Sequence, residues 1–182
     1  MNSDLEKKLP SPEKLHGMTE ANLRAAFAGE SQAAEKYLVF AEKAEDDGLP
    51  NVARLFRAIS YAETRHARNH WRTLSGIGST ADNLQTAFEG ESFEIDDMYP
   101  AYETVAKFQG DRQAHKSIMF AVKAEQDNKR MYADARGMVL DGKDIGGQPV
   151  SVCEVCGHTV IGDVPDKCPV CAAKKEAYRT FA

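Results

Sequence analysis

Residues 19–31 read Thr-Glu-Ala-Asn-Leu-Arg-Ala-Ala-Phe-Ala-Gly-Glu-Ser, and residues 80–92 read Thr-Ala-Asp-Asn-Leu-Gln-Thr-Ala-Phe-Glu-Gly-Glu-Ser. Each copy ends with an acid, Glu30 or Glu91, at a position where helical spacing from the preceding apolar residues predicts the buried face of a helix. Because charged side chains are almost never buried unless they are paired or bind a cation, the repeat predicts a function for both acids.

The apolar spacing predicts four helices. Pro100 falls inside the third pattern and is expected to kink or interrupt that helix, while Gly137 is expected to end the fourth. The predicted helices cover residues 19–46, with Thr19 as N-cap, then 50–75, 80–110 and 111–136.

The segment that follows each repeat carries an Ala-Glu-x-x motif. The first contains Glu63 and His66, which are three residues apart and therefore point to the same side of a helix. The second contains Glu125, and at the position equivalent to His66 it has Asn128. Glu91 and Glu94 have the same three-residue spacing.

All four predicted helices thus turn acids inward, an arrangement typical of carboxylate-bridged dimetal sites in helix bundles. Carboxylate oxygens with one imidazole suit Fe or Mn, with Zn as an alternative. The candidate ligands, which are also the candidate catalytic residues, are Glu30, Glu63, His66, Glu91, Glu94 and Glu125.

Two Cys-x-x-Cys pairs lie close to the end of the chain, at Cys153 and Cys156 and at Cys168 and Cys171. Four thiolates at this spacing predict one tetrahedral metal ion, either a structural Zn or an FeS4 iron that carries one electron. Ala172 follows the second pair where a glycine is expected, so strain is predicted in that loop.

Composition narrows the function classes. A net charge of −5 argues against nucleic acid or an anionic membrane surface as a partner. The polar N-terminus does not resemble a secretory signal, and the sequence has no apolar run long enough to span a membrane, so a cytoplasmic protein is expected.

The predicted divisions of the chain are an N-terminal lead-in (1–18), a helix bundle (19–137), a linker (138–150) and a metal-dependent module (151–182).

In combination these motifs resemble the rubrerythrin family. The resemblance rests on the two Phe-x-Gly-Glu-Ser segments, Ala-Glu-x-x-His, Met98-Tyr99-Pro100 and the closing cysteine module, and it extends from about residue 19 to 182. It implies a mainly α protein, with a ferritin-like diiron four-helix bundle followed by a rubredoxin-like FeS4 module of short strands and knuckles. It further implies a peroxidase of oxidative-stress defence that reduces hydrogen peroxide to water, with electrons from rubredoxin or an NAD(P)H-dependent reductase.

The resemblance also implies ligand roles. Glu30 would be a terminal ligand of one iron and Glu91 of the other, while Glu63 and Glu125 would bridge the two. His66 and Glu94 would exchange at the first iron. Family members are dimers or larger, and the resemblance implies that the FeS4 centre of one subunit lies near the diiron site of its partner.

Asn128 keeps two other functions open. One is a ferroxidase or iron-handling protein of the ferritin-like class, and the other is an electron-transfer protein whose bundle site is weakened because Asn128 replaces the expected His. Tyr37 and Tyr99 are expected either to pack in the core or to hydrogen-bond a ligand carboxylate, and His70 is expected to lie at the surface or behind the ligands.

Overall fold

The structure is a computed structural model that describes residues 15–74 and 76–182. Most of the predicted N-terminal lead-in lies outside the described residues. The chain divides into two compact units, up to Ile77 and from Gly78 onward, which are described separately below.

The first unit is a pair of packed helices, α1 (Gly17–Asp46) and α2 (Pro50–Thr73). The turn between them uses Gly48 at a φ of 72°, and Pro50 occupies the first turn of α2, where its missing N–H costs nothing. Helix α1 begins two residues before the predicted N-cap Thr19, because the carbonyl of His16 already accepts a hydrogen bond from the N–H of Glu20.

Small residues form the contact between α1 and α2. Ala41, Ala44 and Ala53 are buried together, with Phe56 packed against them. The Ser60 hydroxyl donates to the backbone carbonyl of Ala34 at 2.9 Å, which satisfies a buried polar group between the helices. Val52 and Ile59 of α2 are exposed in this chain.

The second unit begins with α3 (Thr80–Phe93), which continues as a π-helical turn (Glu94–Met98) into α4 (Tyr99–Gln109). A capping box between Ser79 and Asp82 fixes the start of α3. Both α3 and α4 pack on α5 (Arg112–Leu140). The predicted interruption before Pro100 takes the form of the π-helical turn, whereas the predicted end of α5 at Gly137 is wrong, since the helix continues to Leu140 and Gly142 supplies the positive φ.

A three-stranded antiparallel sheet follows, in the order β2-β1-β3. Its strands are β1 (Val150–Cys153), β2 (Thr159–Ile161) and β3 (Tyr178–Phe181). Ser151 pairs with Val160 on one side and with Thr180 on the other. The two cysteine loops extend from this sheet, and β2 contacts α5 within the unit. Among the described residues, no helix combines the length and hydropathy needed to cross a membrane.

Candidate metal centres

The first group of ligands lies in the α1–α2 unit. Glu30 of α1, with Glu63 and His66 of α2, places ligand atoms within 4.8 Å of one another. His66 Nδ1 contacts Glu63 Oε2 at 2.9 Å, because residues three apart on a helix share a face. Two carboxylates and an imidazole at this separation fit a hard or borderline divalent cation.

The second group lies in the other unit and consists of carboxylates alone. Glu91 of α3, Glu94 and Glu125 of α5 also place ligand atoms within 4.8 Å of one another, and all three are half-buried. Burial, a hydrogen bond with Glu125 and the charge of Glu125 raise the pKa of Glu91 to about 8. Burial and then Glu125 also raise the pKa of Glu94. Carboxylates this close retain a proton unless a cation replaces it, so the group fits a metal ion.

Asn128 lies beside the second group. Its side-chain Nδ2 donates to Glu125 Oε2 at 2.7 Å. The contact repeats the His66–Glu63 geometry on α2, since both pairs are three residues apart. The second group therefore has the partner geometry of the first but an amide in place of the imidazole.

The π-helical turn begins at Glu94, directly after α3. Glu91, in the last turn of α3, and Glu94, the first residue of the π-helical turn, both belong to the second ligand group. Such single π turns are frequent at functional sites. Pro100, two residues after the turn, was the sequence signal for this irregularity.

Tyrosines accompany the carboxylates. Burial, and then the negative charges of Glu94 and Glu125, raise the pKa of Tyr99, so its side chain lies near the second group. Burial, and then the negative charges of Glu91 and Glu125, also raise the pKa of Tyr132. The sequence analysis predicted no function for Tyr132. Tyr37 instead packs against the rings of Phe40 and Phe56, and neither ligand group contains His70.

The four cysteines converge in the second unit. Cys153 Sγ lies 3.6 Å from Cys171 Sγ, and Cys156 Sγ lies 3.5 Å from Cys168 Sγ. Metal–sulfur bonds of about 2.3 Å in a tetrahedron require sulfur separations of roughly 3.8 Å, so a small adjustment around the ion completes the geometry. Ala172 has a φ of 63° and is the one non-glycine residue with a positive φ in the described part of the chain. Backbone strain was predicted for this loop, and this left-handed conformation agrees with it.

Burial and hydrogen bonds shift the pKa values of Cys156 and Cys168 in opposite directions. Burial would raise the pKa of Cys168, but Tyr178 and the N–H groups of Cys171 and Val170 outweigh burial and lower it to about 6. Burial raises the pKa of Cys156, against a backbone hydrogen bond from His158. A thiolate stabilised in this way is prepared to bind a metal ion.

A cavity of about 270 Å³ separates the first cysteine loop from the second carboxylate group. Cys156 and Gly157 line one side, and Glu125 and Asn128 of the same chain line the other. The cysteine module of this chain therefore lies beside a carboxylate group of its own α5. The expectation that an FeS4 centre lies near the diiron site of a partner subunit stays a prediction.

Comparison with known proteins decides the family. The family model "Rubrerythrin" matches residues 21–136, and the model "Rubrerythrin, rubredoxin-like domain" matches residues 152–179. The chain belongs to the rubrerythrin family. It is 37% identical to rubrerythrin-2 of Clostridium acetobutylicum over 180 residues, covering 91% of this chain and 98% of that protein. It is 30% identical to nigerythrin of Nitratidesulfovibrio vulgaris, covering 91% of this chain and 87% of that one.

The structure is similar to solved structures of nigerythrin. In its partially reduced state, nigerythrin matches with a TM-score of 0.54 and 29% identity, covering 95% of this chain and 91% of the other. The predicted fold class is thereby confirmed, a ferritin-like helical protein with a small rubredoxin-like sheet module. The predicted cofactors are confirmed at the level of the family, a diiron centre and an FeS4 iron, and the donor groups above fit them.

Proposed function

We propose that this rubrerythrin is a non-haem diiron peroxidase that reduces hydrogen peroxide to water in oxidative-stress defence, with electrons relayed through the FeS4 centre. The observation that carries the proposal is the placement of the Cys156 loop across a cavity from Glu125 of the same chain. An electron carrier adjacent to a carboxylate site suits a reaction that consumes electrons at that site.

The reaction consumes two electrons and two protons for each hydrogen peroxide and releases two waters. When bound, the diiron centre would supply the two electrons that peroxide reduction requires, and the FeS4 iron would supply the one-electron redox chemistry of the relay. Six side chains hold the two irons in the proposal, namely Glu30, Glu63, His66, Glu91, Glu94 and Glu125. Glu30 and Glu91 would be terminal ligands, and Glu63 and Glu125 would be bridging ligands.

The side chains around the carboxylates provide the polar surroundings of the site. The Glu91 carboxyl, whose pKa is raised to about 8, holds a proton near neutral pH in the metal-free chain, which a cation displaces. Tyr99 and Tyr132 have pKa values raised by burial and by the surrounding carboxylates, so their hydroxyls stay protonated and can donate hydrogen bonds to these oxygens.

Rubredoxin or an NAD(P)H-dependent reductase is the proposed electron donor, and the cytoplasm is the proposed compartment. A homodimer or larger assembly is also proposed. Its support is the apolar surface of α4, where Tyr102 and Val105 are exposed and Phe108 is 91% exposed. Large exposed apolar surfaces of this kind are typical of association sites.

The test is steady-state turnover of anaerobically purified, iron-loaded protein with NADH, a rubredoxin reductase and a rubredoxin. Peroxide-dependent NADH oxidation that requires this protein is the expected result. Absence of turnover from protein that contains both the diiron and the FeS4 iron would contradict the proposal.

A second candidate function has one specific observation in its favour. Asn128 hydrogen-bonds Glu125 where a His would ligate, which favours an electron-transfer protein with a weakened bundle site. A ferroxidase is the remaining alternative. Full FeS4 loading without bundle iron would support electron transfer, and fast Fe(II) oxidation by dioxygen with slow peroxide turnover would support the ferroxidase.

A further inference from the structure

A cleft of about 450 Å³ lies in the second unit, between α3, α5 and the sheet. The segment that connects α5 to β1 forms part of its wall. Most of the lining is apolar, and its large apolar side chains are Leu84, Met131, Met138, Ile145, Val150 and Ile161. Clefts of this size, with a mostly apolar lining and a few polar groups at one place, are typical sites for small organic molecules.

The polar side chains Asn128 and Tyr132 place the cleft beside the second carboxylate group. Both line the cleft, and they lie one helical turn apart on the same face of α5. Asn128 Nδ2 donates to Glu125 Oε2 at 2.7 Å. The charges of Glu91 and Glu125 contribute to the raised pKa of Tyr132, so its hydroxyl lies near the same carboxylates and stays protonated at neutral pH. A molecule in the cleft can therefore place a polar head group next to the metal ligands.

Asn128 lies at the boundary between the cleft and the carboxylates. It also lines the smaller cavity that contains Glu125 and the Cys156 loop. At the equivalent position of α2, the imidazole of His66 contacts Glu63 at 2.9 Å. An amide side chain is shorter than an imidazole, so Asn128 leaves space at this boundary that a histidine would fill. The departure from the repeat thus opens the second ligand group toward an apolar cleft.

The lining of the cleft indicates the chemistry of its occupant. Hydrogen peroxide is small and polar, so it gains nothing from an apolar lining. Among the described residues, the one charged side chain in the lining is the exposed Asp134, which disfavours an anionic occupant. Met138 and Ile145 are exposed as well, so the cleft opens to solvent on their side. These features fit a neutral molecule with an apolar body and a polar head group that faces Asn128.

We propose that the cleft binds the alkyl group of a neutral alkyl hydroperoxide, whose peroxide head lies beside Asn128 and Tyr132 and is reduced at the carboxylate site. The oxygen–oxygen bond breaks with uptake of two electrons and two protons, which yields the alcohol and one water. The electrons come from the same rubredoxin-type donor through the iron centres. This inference rests on the proposed peroxidase function and extends it to a further class of substrate.

Binding is tested without turnover in the full-length, zinc-loaded protein, with ¹³C-labelled methionine methyl groups and 1-hexanol as the probe. The alcohol is expected to shift the methyl signals of Met131 and Met138 but not that of Met18, which is 75% exposed on α1. Ala135→Phe fills the cleft from α5 and should abolish both shifts, whereas Ala133→Phe, at an exposed position of the same helix, should retain them. Absence of both shifts in the unaltered chain would overturn the proposal.

The substrate class is tested with ethyl, butyl and hexyl hydroperoxide and the iron-loaded protein, beside hydrogen peroxide. The reactivity of the oxygen–oxygen bond hardly changes with the length of the alkyl chain. A rise in kcat/KM of about fourfold for each methylene buried is therefore the effect of the cleft. Ala135→Phe should remove this rise while hydrogen peroxide turnover persists, and Ala133→Phe should keep both.

The outcomes separate this inference from the proposed function. Equal kcat/KM values for the three hydroperoxides, in protein that turns over hydrogen peroxide, would overturn the inference alone. Absence of turnover with every peroxide in fully iron-loaded protein would overturn the proposed function and the inference together.

Discussion

Asn128 donates a hydrogen bond of 2.7 Å to Glu125, in the same i, i+3 arrangement in which His66 contacts Glu63 at 2.9 Å on α2. The two ligand groups therefore share this helical arrangement, but the second has an amide where the first has an imidazole, and it contains the additional carboxylate of Glu94. An imidazole nitrogen is a common ligand of Fe and Zn, whereas a neutral amide is a weak one. This difference makes the two metal positions inequivalent.

The substitution Asn128→His is expected to restore the nitrogen donor. The introduced imidazole would take the position that His66 has on its own helix, so the affinity of the second group for Fe(II) or Co(II) should rise by about tenfold or more, in the range that supporting ligand changes produce. Metal titration of the two proteins side by side measures the effect. Unchanged affinity would show that the amide is tolerated and that Asn128 does not weaken the site.

Glu125 is expected to be required for bundle metal but not for the FeS4 iron. Glu125→Gln removes the carboxylate that Glu91, Glu94 and Asn128 all approach, so bundle iron should be lost while the visible FeS4 absorption remains. Glu89→Gln is the matched control, since Glu89 is exposed on α3 and belongs to no ligand group found among the described residues. Iron analysis together with the visible spectrum separates the two sites, and full iron in Glu125→Gln would contradict the assignment.

Metal binding at the second group is expected to depend on pH. The pKa of Glu91, raised by burial and by Glu125 to about 8, means that a cation displaces a proton there below this pH. Affinity for Co(II) should therefore fall by up to about tenfold for each pH unit below the pKa, with proton release on binding. Co(II) titrations at several pH values measure the dependence, and an affinity that does not change with pH would contradict it.

The free energy of unfolding of the metal-free chain depends on pH in the opposite direction from the metal affinity, because it falls as the pH rises. A carboxyl whose pKa is raised by folding contributes stability below its unfolded pKa, and that contribution is lost as the pH rises through the folded pKa of about 8. The thermal midpoint of the metal-free chain should fall as the pH is raised from about 4.5, the ordinary pKa of a glutamate, to about 8, and it should level off above that pH, while Glu91→Gln should flatten the profile. A pH-independent midpoint in the unaltered chain would show that Glu91 is not buried with Glu125 as described.

The cysteine module is expected to depend on its metal. Cys153 is 1% exposed and its carbonyl accepts from the N–H groups of Cys156 and Gly157, so Cys153→Ser removes a ligand at the base of the first loop. The variant should lose the FeS4 absorption, and its steady-state turnover with a rubredoxin donor should fall by about tenfold or more, while single-turnover peroxide reduction persists. Val155→Ala, at an exposed position in the same loop, is the control. Undiminished steady-state turnover would exclude the FeS4 centre from the electron path.

Much of the architecture is predictable from local sequence. The Gly48 and Pro50 pair marks the turn between α1 and α2, and the spacing of Glu63 from His66 predicts a shared face. The sulfur cluster follows from two Cys-x-x-Cys pairs, and the left-handed backbone at Ala172 follows from a missing glycine.

Other features depend on packing that the sequence does not display. Helix α5 continues past Gly137, because a single glycine weakens a helix by only about 1 kcal/mol and need not end it. The placement of the cysteine module against its own α5 requires a contact between β2 and a helix that precedes it in the chain. His158 and Tyr178 fall in no recognisable motif, so the contact of 2.7 Å between His158 Nδ1 and the Tyr178 hydroxyl is visible only in three dimensions.

The central claim is that peroxide is reduced at the carboxylate site with electrons from the FeS4 iron of this protein. The most direct measurement is rapid mixing of the fully reduced, anaerobic protein with one hydrogen peroxide per diiron centre, followed by a second equal addition, with the FeS4 absorption recorded. Rapid consumption of the first addition and of half of the second is expected, because the two ferrous ions and the FeS4 iron together hold three electrons, and the oxidised FeS4 absorption should recover within the time of enzyme turnover. An FeS4 centre that stays reduced while peroxide is consumed, or peroxide that is not consumed at all, would contradict it.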